Sequence, residues 1–513
     1  MHNDKGIRWW PLGLVFVLGL LALAWIWLFE VGRQRQDRVL LTAFVTFAAI
    51  AGTMLWLLLL SRARWRTRLT TLLVVVLLVA GAWFTLKVEA VSGDLVPRVR
   101  WKWSQPRDAG LAAVEPAGGD VSGRAGTSDH DYPRYRGPRG DGIIDGIRLA
   151  RNWAEQPPRE VWRRDVGSGW SGFAVAGDFA ITQEQRGGEE RTTCHDLVSG
   201  EILWSHVENV RHEEALGGPG PRATPAISGE RVFSVGATGI VNALDLRTGE
   251  PLWRQDLIEL ASVKPPIYGF ASSPVVADGR VVVVAGGREG RSVWAFDELT
   301  GEPVWSGGNA PYGYATPAIG TVAGREQWVV LNDGSVNGIA ADDGTLLWSH
   351  PWPQPTEVTA QPKLLDGDRI LVSSGYGVGA KMFKLRAVED RFEVEILWES
   401  MRLKAKFSDF VVYRDHAYGL DDGILTAVSL DDGSRAWKKG RYGHGQFLLV
   451  GDLLLIQAED GSVALVEARP DRYIEQARIE VLTGKTWNHP ALAGTRLLVR
   501  NDREMVMLEL AAE

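Results

Sequence analysis

Few side chains in this 513-residue chain stand at spacings that support chemistry. The one cysteine, Cys194, precedes His195, but neighbours on a strand face opposite sides, so the imidazole cannot activate the thiol. Cys194 takes the place that Ala243 and Ala295 hold in parallel segments and reads as a small core residue. A single cysteine also excludes an intrachain disulfide. His212-Glu213 begins like a zinc-protease helix, yet residue 216 is leucine where H-E-x-x-H needs its second histidine. GDGIIDG, 140–146, sets Asp141 and Asp145 among glycines, without the spacing or terminal glutamate of an EF-hand, and reads as a tight turn. AGGREG, Ala285 to Gly290, lies between strands and lacks the helix that a phosphate loop opens. No C-x-x-C-H haem site exists, and no G-x-S-x-G stands in a strand-to-helix setting. A net charge of −7 with pI near 5.8 gives no basic footprint for nucleic acid.

The chain is organised instead around a repeated sentence, LDLRTGEPLW, Leu244 to Trp253. Leu244 and Leu246 alternate with Asp245, as in a half-buried strand. Asp245 and Gly249 supply turn chemistry, and proline at 251 suits an edge strand. Trp253 offers a broad apolar face for docking on a neighbour. Related segments end at Trp204, Trp305, Trp348, Trp398 and Trp437, spaced 39 to 52 residues apart. That period, with four short strands per unit, predicts a β-propeller.

The pattern Asp-x-x-Thr/Ser-Gly-Glu-x-x-Trp resembles the tryptophan-docking repeat of the quinoprotein (PQQ-repeat) propellers. This superfamily holds PQQ-dependent dehydrogenases and non-enzymatic BamB-type outer-membrane assembly factors. YPRYRGPRGDGI, Tyr132 to Ile143, is similar to the opening of many bacterial PQQ-binding-like repeat proteins. The resemblance implies an all-β, eight-bladed, quinoprotein alcohol dehydrogenase-like propeller over 132–513. Inner strands are readable at 172–175, ATPAI (223–227), SSPVV (272–276), ATPAI (315–319), AQPKL (360–364), SDFVV (408–412), GQFLLV (445–450) and NHPAL (488–492). The last unit lacks its tryptophan strand. REVWRRDVG, around Trp162, precedes the first inner strand and is expected to complete the eighth blade, removing an exposed edge. The docking set is then Trp162, Trp204, Trp253, Trp305, Trp348, Trp398 and Trp437. The seventh blade, with VEARPDRYIEQAR at its turn, has neither the glycine nor the tryptophan.

Enzymes of this superfamily bind PQQ and Ca²⁺ at the channel mouth, lined by the loops that lead into the inner strands. The matching positions here are Trp170, Arg222, Tyr268, Tyr314, Gln361, Asp409, His444, Trp487, Asn488 and His489, a candidate ligand pocket. Asp409 and Asn488 are the candidate calcium ligands. The adjacent cysteine pair typical of the dehydrogenases is missing, no further acid stands at the mouth, and no general base can be assigned. The expectation is therefore no catalytic residue, no metal and no resident cofactor, with a PQQ/Ca-dependent membrane dehydrogenase or a small-ligand site at the mouth as the alternatives.

Three uncharged apolar runs open the chain, at about 9–29, 39–60 and 69–86. Each is long enough to span a bilayer as helix, and tryptophans lie near the ends. None holds a charge that would mark an ion path. Residues 1–91 are expected to be a membrane anchor and 92–131 a flexible linker, with Arg98, Arg100 and Lys102 set among Trp101 and Trp103 near lipid headgroups. Arg62, Arg64, Arg66 and Arg68 favour a cytoplasmic second loop. By resemblance the propeller is periplasmic, on a bacterial inner membrane. Its expected role is a non-catalytic scaffold for envelope or outer-membrane proteins, as in BamB-type factors, with the lipid bilayer as a further partner.

Overall fold

The structure, a computed structural model, describes residues 7–29, 31, 35–93, 95–105, 107–111, 124, 126–354, 357–389 and 391–513. The chain divides into two compact units, Met1–Gln105 with Ala215–Gly218, and Pro106–Glu214 with Pro219–Glu513.

In the first unit the apolar runs form helices α1 (Trp10–Leu28), α2 (Arg35–Leu55) and α3 (Trp65–Thr85), with a π-helical turn, Trp56–Leu60, extending α2. All three are long and apolar enough to cross a membrane. Small residues let α1 and α2 approach closely: a Cβ on Gly52 would meet Val15 at 3.3 Å. The indole N–H of Trp56 donates to the Arg8 carbonyl at 2.7 Å, and that of Trp27 to Thr42 Oγ1 at 3.0 Å. After α3 the chain makes an antiparallel hairpin, Leu86–Val91 with Pro97–Trp101, in register Leu86 to Trp101.

The stretch 92–131 is thus not one uniform tether. Pro97–Trp101 is a strand, and Arg107–Leu111 forms a 3-10 turn within the second unit. Complementary charge fixes that turn. Arg107 meets Asp165 at 2.7 Å, and the buried Asp108 meets Arg211 at 2.8 Å. The remainder of the expected flexible segment, 112–123 and 125, lies outside the described residues.

The second unit is an eight-bladed β-propeller. In blade two the strands Ala226–Ser228, Arg231–Val235, Ile240–Asp245 and Pro251–Asp256 pair in sequence order from the channel outwards. Blades one and three to six repeat this order. Blade eight takes Ala491–Ala493, Arg496–Arg500 and Glu504–Glu509 from the C-terminal end and Arg159–Asp165 from the other, paired Met507 to Trp162, as the missing tryptophan strand required. The closure is reinforced by the buried Arg500, which donates to the Gln183 carbonyl of blade one at 2.9 Å. Alternating strand residues bury Val, Leu, Ile and Phe between the blades, and the core runs around the ring as a series of interblade clusters.

The docking motif has a definite geometry. At Trp162, Trp204, Trp253, Trp305 and Trp398 the ring lies on the turn glycine of the next blade. A Cβ on Gly200 would stand 2.6 Å from Trp162, one on Gly301 2.5 Å from Trp253, and one on Gly433 2.6 Å from Trp398. These glycines also sit at φ of 70 to 73°, so both the backbone and the neighbour call for glycine. The indole N–H then reaches a carbonyl of the same turn: Trp162 to Leu197, Trp204 to Leu246, Trp253 to Glu298, Trp398 to Leu430, at 2.9 to 3.1 Å. The turn aspartate is tied to its own backbone, Asp245 Oδ1 accepting from the N–H groups of Arg247 and Thr248 at 2.9 Å.

The lead-in segment from Tyr132 enters the channel and fills part of it. It bonds inner strands in turn: Tyr132 with Val175 of blade one, the Pro133 carbonyl with the Ile227 N–H of blade two, and Arg134 with the Val276 carbonyl of blade three. Ile143–Ile144 then adds a fifth, parallel strand inside blade seven, against Leu449 and Val450.

Candidate functional site in the channel

The ten mouth positions do not converge on one pocket. They divide into two levels.

The upper level is a belt of half-buried aromatic rings. Trp170 and Trp487 stand 5.1 Å apart, with the Lys485 ammonium 4.5 Å from the first ring centre and 4.0 Å from the second. Trp487 continues to Phe407 at 5.2 Å, and Phe407 to His444 at 5.1 Å and Tyr376 at 6.3 Å. Lys406 lies 4.9 Å from the Tyr376 ring centre and 5.2 Å from that of Phe407. Across the mouth Tyr268 and Tyr314 meet edge to face at 5.6 Å, and the Tyr268 hydroxyl faces Glu357. Arg222 pairs with Glu214 at 3.1 Å. Glu459 accepts from the Trp487 indole and from the His444 backbone N–H, both at 2.9 Å.

The lower level is buried and belongs to the ring itself. The residue preceding the inner-strand proline, or Asp409 before Phe410 at the equivalent place, accepts a backbone N–H from the blade before it. Gly172 N donates to Thr224 Oγ1, Thr224 N to Ser273 Oγ, Ser273 N to Thr316 Oγ1, and Gln361 N to Asp409 Oδ2, at 2.9 to 3.1 Å. Gln361 and Asp409 are members of this interblade belt. Asn488 donates to the carbonyls of Gly169 and Ser171, at 3.2 and 2.7 Å. His489 faces the lead-in segment, its Nδ1 3.4 Å from the Tyr132 hydroxyl and its ring 5.2 Å from Tyr135. Burial, and next the positive charge of Arg136, push its pKa down to about 3, so it is neutral.

Asp409 is the centre of charge at this level. Its Oδ1 accepts from Phe410 N at 2.7 Å and lies 3.0 Å from Lys363 Nζ. Its Oδ2 accepts from Gln361 N and lies 3.2 Å from Arg136 Nη1. Burial alone would raise its pKa, but the charges of Arg136 and Lys363 outweigh burial and hold it below the ordinary carboxylate value. Arg136, 1% exposed, also donates to the carbonyls of Asp141 and Phe410 at 2.7 and 2.8 Å. Gly142 lies directly against its guanidinium.

Sequence reasoning missed Arg136 and Lys363. Lys363 did carry a signal: it follows the inner-strand proline where ATPAI and NHPAL have alanine and SSPVV has valine. Phe407, Tyr376, Lys406 and Lys485 were missed because they stand outside the repeated positions used for alignment.

The family described as outer membrane protein assembly factor BamB matches residues 188–439. That span runs from blade one to the end of blade six and stops where the tryptophan motif stops. The chain is 26% identical over 258 residues to the outer membrane protein assembly factor BamB of Yersinia pestis, covering 47% of this chain and 62% of that protein. It is 28% identical over 159 residues to the quinohemoprotein alcohol dehydrogenase ADH IIB of Pseudomonas putida, covering 28% of this chain and 22% of the enzyme. Among solved structures, BamB from Moraxella catarrhalis superposes with a TM-score of 0.50 at 15% identity, over 69% of this chain and 99% of that one. Quinohemoprotein alcohol dehydrogenase from Comamonas testosteroni gives 0.53 at 12% identity, over 75% and 81%. The repeat region of the propeller is similar to the BamB-type and quinoprotein repeats, over just under half of the chain. The chain spans less than two thirds of the length of the curated relatives it matches.

The calcium that the dehydrogenase alternative would imply does not fit these residues. Four donors already surround the two oxygens of Asp409. Asn488 contributes one neutral buried oxygen, Oδ1, without a partner among the described residues. A calcium ion needs six to eight hard oxygens, and among the described residues no group of three or more His, Cys, Asp or Glu side chains is placed to hold a metal. In this propeller the groups next to Asp409 are its own Arg136 and Lys363.

Proposed function

We propose that this chain is a non-catalytic scaffold of the bacterial cell envelope, anchored in the inner membrane by α1 to α3 with its propeller in the periplasm, and without PQQ. The observation that carries this reading is the outer rim. On four consecutive blades the outermost strand bears an exposed apolar side chain one or two residues before its docking tryptophan: Leu252, Val304, Leu346 and Leu397, each 41 to 47% exposed. Outermost strands also carry unpaired backbone N–H and C=O groups. Edge strands with free backbone groups and apolar side chains at intervals accept an extended segment of a partner. The BamB relatives, named as outer membrane protein assembly factors, make an envelope protein the natural partner. The occupied surroundings of Asp409 support the absence of a calcium-PQQ seat.

Two measurements on the full chain test this. A photo-crosslinker at position 252 or 397 in living cells is expected to trap envelope proteins, whereas one at the buried position 455 is not. In detergent, titration with PQQ with and without Ca²⁺, followed by tryptophan fluorescence and cofactor absorbance, is expected to show no saturation. Calcium-dependent saturation would make the chain a dehydrogenase instead.

A further inference from the structure

The lead-in segment fills the channel unevenly, and the space it leaves has a chemistry of its own. Beside the inner strands of blades three to six lies a cavity of about 280 Å³. Its walls are largely apolar: Pro274, Val275, Pro317, Ile319, Leu364 and Val412. Arg134, Arg139 and Lys363 also face it, with Tyr135 and Asp141.

The cations in and around the cavity are not equally matched. Arg139 meets Asp141 at 2.9 Å and Asp145 at 2.6 Å. Lys363 and Arg136 share Asp409. Arg134 donates from Nε to the Pro138 carbonyl at 3.1 Å and from Nη1 to the Val276 carbonyl at 3.3 Å. Among the described residues no carboxylate lies within ion-pair distance of it. Arg139 thus has two carboxylates and Asp409 two cationic neighbours, one of which, Lys363, burial brings to a pKa of about 7; the cation with no carboxylate of its own is the guanidinium of Arg134, which stays protonated in proteins. A partly buried charge without a counter-ion is costly and attracts one.

We propose that this chamber is a binding site for a small organic monocarboxylate, held by Arg134. One guanidinium without a carboxylate partner matches a monoanion. A guanidinium edge donates to both oxygens of a planar carboxylate. Proline and aliphatic walls favour an apolar body over a hydrated one. A volume at the lower end of ligand pockets restricts the body to about one ring. Arg139, about half exposed, stands at the solvent end, where its bonds to Asp141 and Asp145 partly cover the opening.

Sodium benzoate is the probe, titrated into the detergent-solubilised full chain by calorimetry and by thermal unfolding, against sodium chloride at equal ionic strength and against inorganic phosphate. Benzoate is expected to bind saturably and to raise the unfolding temperature by mass action, while phosphate does no more than chloride. Arg134→Gln is expected to weaken benzoate at least about tenfold by loss of the charge-assisted pair. Ile319→Trp fills the chamber from blade four with Arg134 intact and should abolish binding, so the proposal stays testable if Arg134→Gln folds poorly. Arg139→Gln should leave affinity within about threefold, as expected of an exposed, solvent-screened pair. Benzoate no better than chloride, unchanged affinity in Arg134→Gln or Ile319→Trp, or phosphate binding as tightly as benzoate each overturns the proposal.

Discussion

The joints between blades are of two kinds, and the difference shows what the repeated motif does. At the joints made by Trp162, Trp204, Trp253 and Trp398, the indole lies on the next blade's glycine and its N–H bonds the next blade's turn. The motif is therefore two half-sites, a tryptophan reaching forward and a glycine turn receiving it. Where the receiver is lost the tryptophan behaves differently. Blade five has Glu389 at positive φ in its turn, and Trp348 instead bonds Gln327 of its own blade at 2.6 Å. Blade seven has no receiving glycine, and Trp437, although it bonds the Arg469 carbonyl at 2.8 Å, remains half-buried. Blade seven also sends no tryptophan forward, and here the lead-in segment adds its inner strand. Arg151, just after it, bonds Asp452 of the same blade at 2.7 Å. Ring closure on that side has moved from the outer rim to the channel.

The largest way to sharpen this comparison is to remove the ring. Trp204→Ala, at a complete joint, is expected to cost about 3–5 kcal/mol, the range for deleting a buried large aromatic. Trp437→Ala should cost roughly half of that, because less of its area is withdrawn from water. Denaturant unfolding of the two variants checks the order, and equal losses would mean that the glycine receiver contributes nothing.

Acid probes both sides of the ring at once. His195 Nδ1 lies 3.2 Å from the carbonyl of Gly200, the receiver of Trp162, and His489 faces the lead-in segment. Burial lowers their pKa values to about 4 and about 3, from 6.5 in the unfolded chain. The unfolded state then binds more protons below pH 6.5, so stability is full above that value and declines towards pH 4, by up to about 1.4 kcal/mol per pH unit for each histidine. Glu190 opposes this. Burial raises it to about 7, so its contribution is present below about pH 4.5 and lost as pH rises through 7. Glu190→Gln should steepen the acid loss between pH 6.5 and 4.5, and His195→Gln should flatten it. An acid limb unchanged in both would place the sensitive groups elsewhere.

A glycine pair separates backbone strain from the docking contact. Gly301 and Gly367 have nearly the same φ, 73° and 75°, but a Cβ meets Trp253 at the first and nothing at the second. Gly367→Ala is expected to cost about 1 kcal/mol for the left-handed backbone alone, and Gly301→Ala about 2–3 kcal/mol because the indole must shift as well. Similar losses at the two sites would reduce the motif's glycine to a turn former.

The fold was legible because each complete motif carries its own aspartate, glycine and tryptophan at fixed spacing, so one unit identifies the next. The split blade was legible for the same reason, since Trp162 stood without a blade and the last unit without a tryptophan. The channel was not legible. Arg136 and Asp409 meet across 273 residues of chain through a contact made once, outside any period. The mouth alignment rests on position along each inner strand, whereas side-chain length and register decide which residues reach the axis. Thus Gln361 and Asp409 joined an interblade belt, while Trp170 and Trp487 pack together against Lys485.

The smallest effect isolates the hydrogen bond of the joint. Trp204 and Trp305 each pack on a glycine receiver, Gly249 and Gly344. The Trp204 N–H donates to Leu246 O at 2.9 Å, whereas the buried Nε1 of Trp305 has no acceptor among the described residues. Phenylalanine removes the N–H and similar ring area in both. The part of the loss due to ring size cancels between Trp204→Phe and Trp305→Phe. What remains is one bond, plus the Leu246 carbonyl left unpaired, so Trp204→Phe should be the more destabilising by about 1 kcal/mol. Chemical denaturation with unchanged m-values resolves such a difference. If Trp305→Phe proves equally costly, the docking energy lies wholly in the face-to-glycine contact, and the carbonyl bond merely orients the ring.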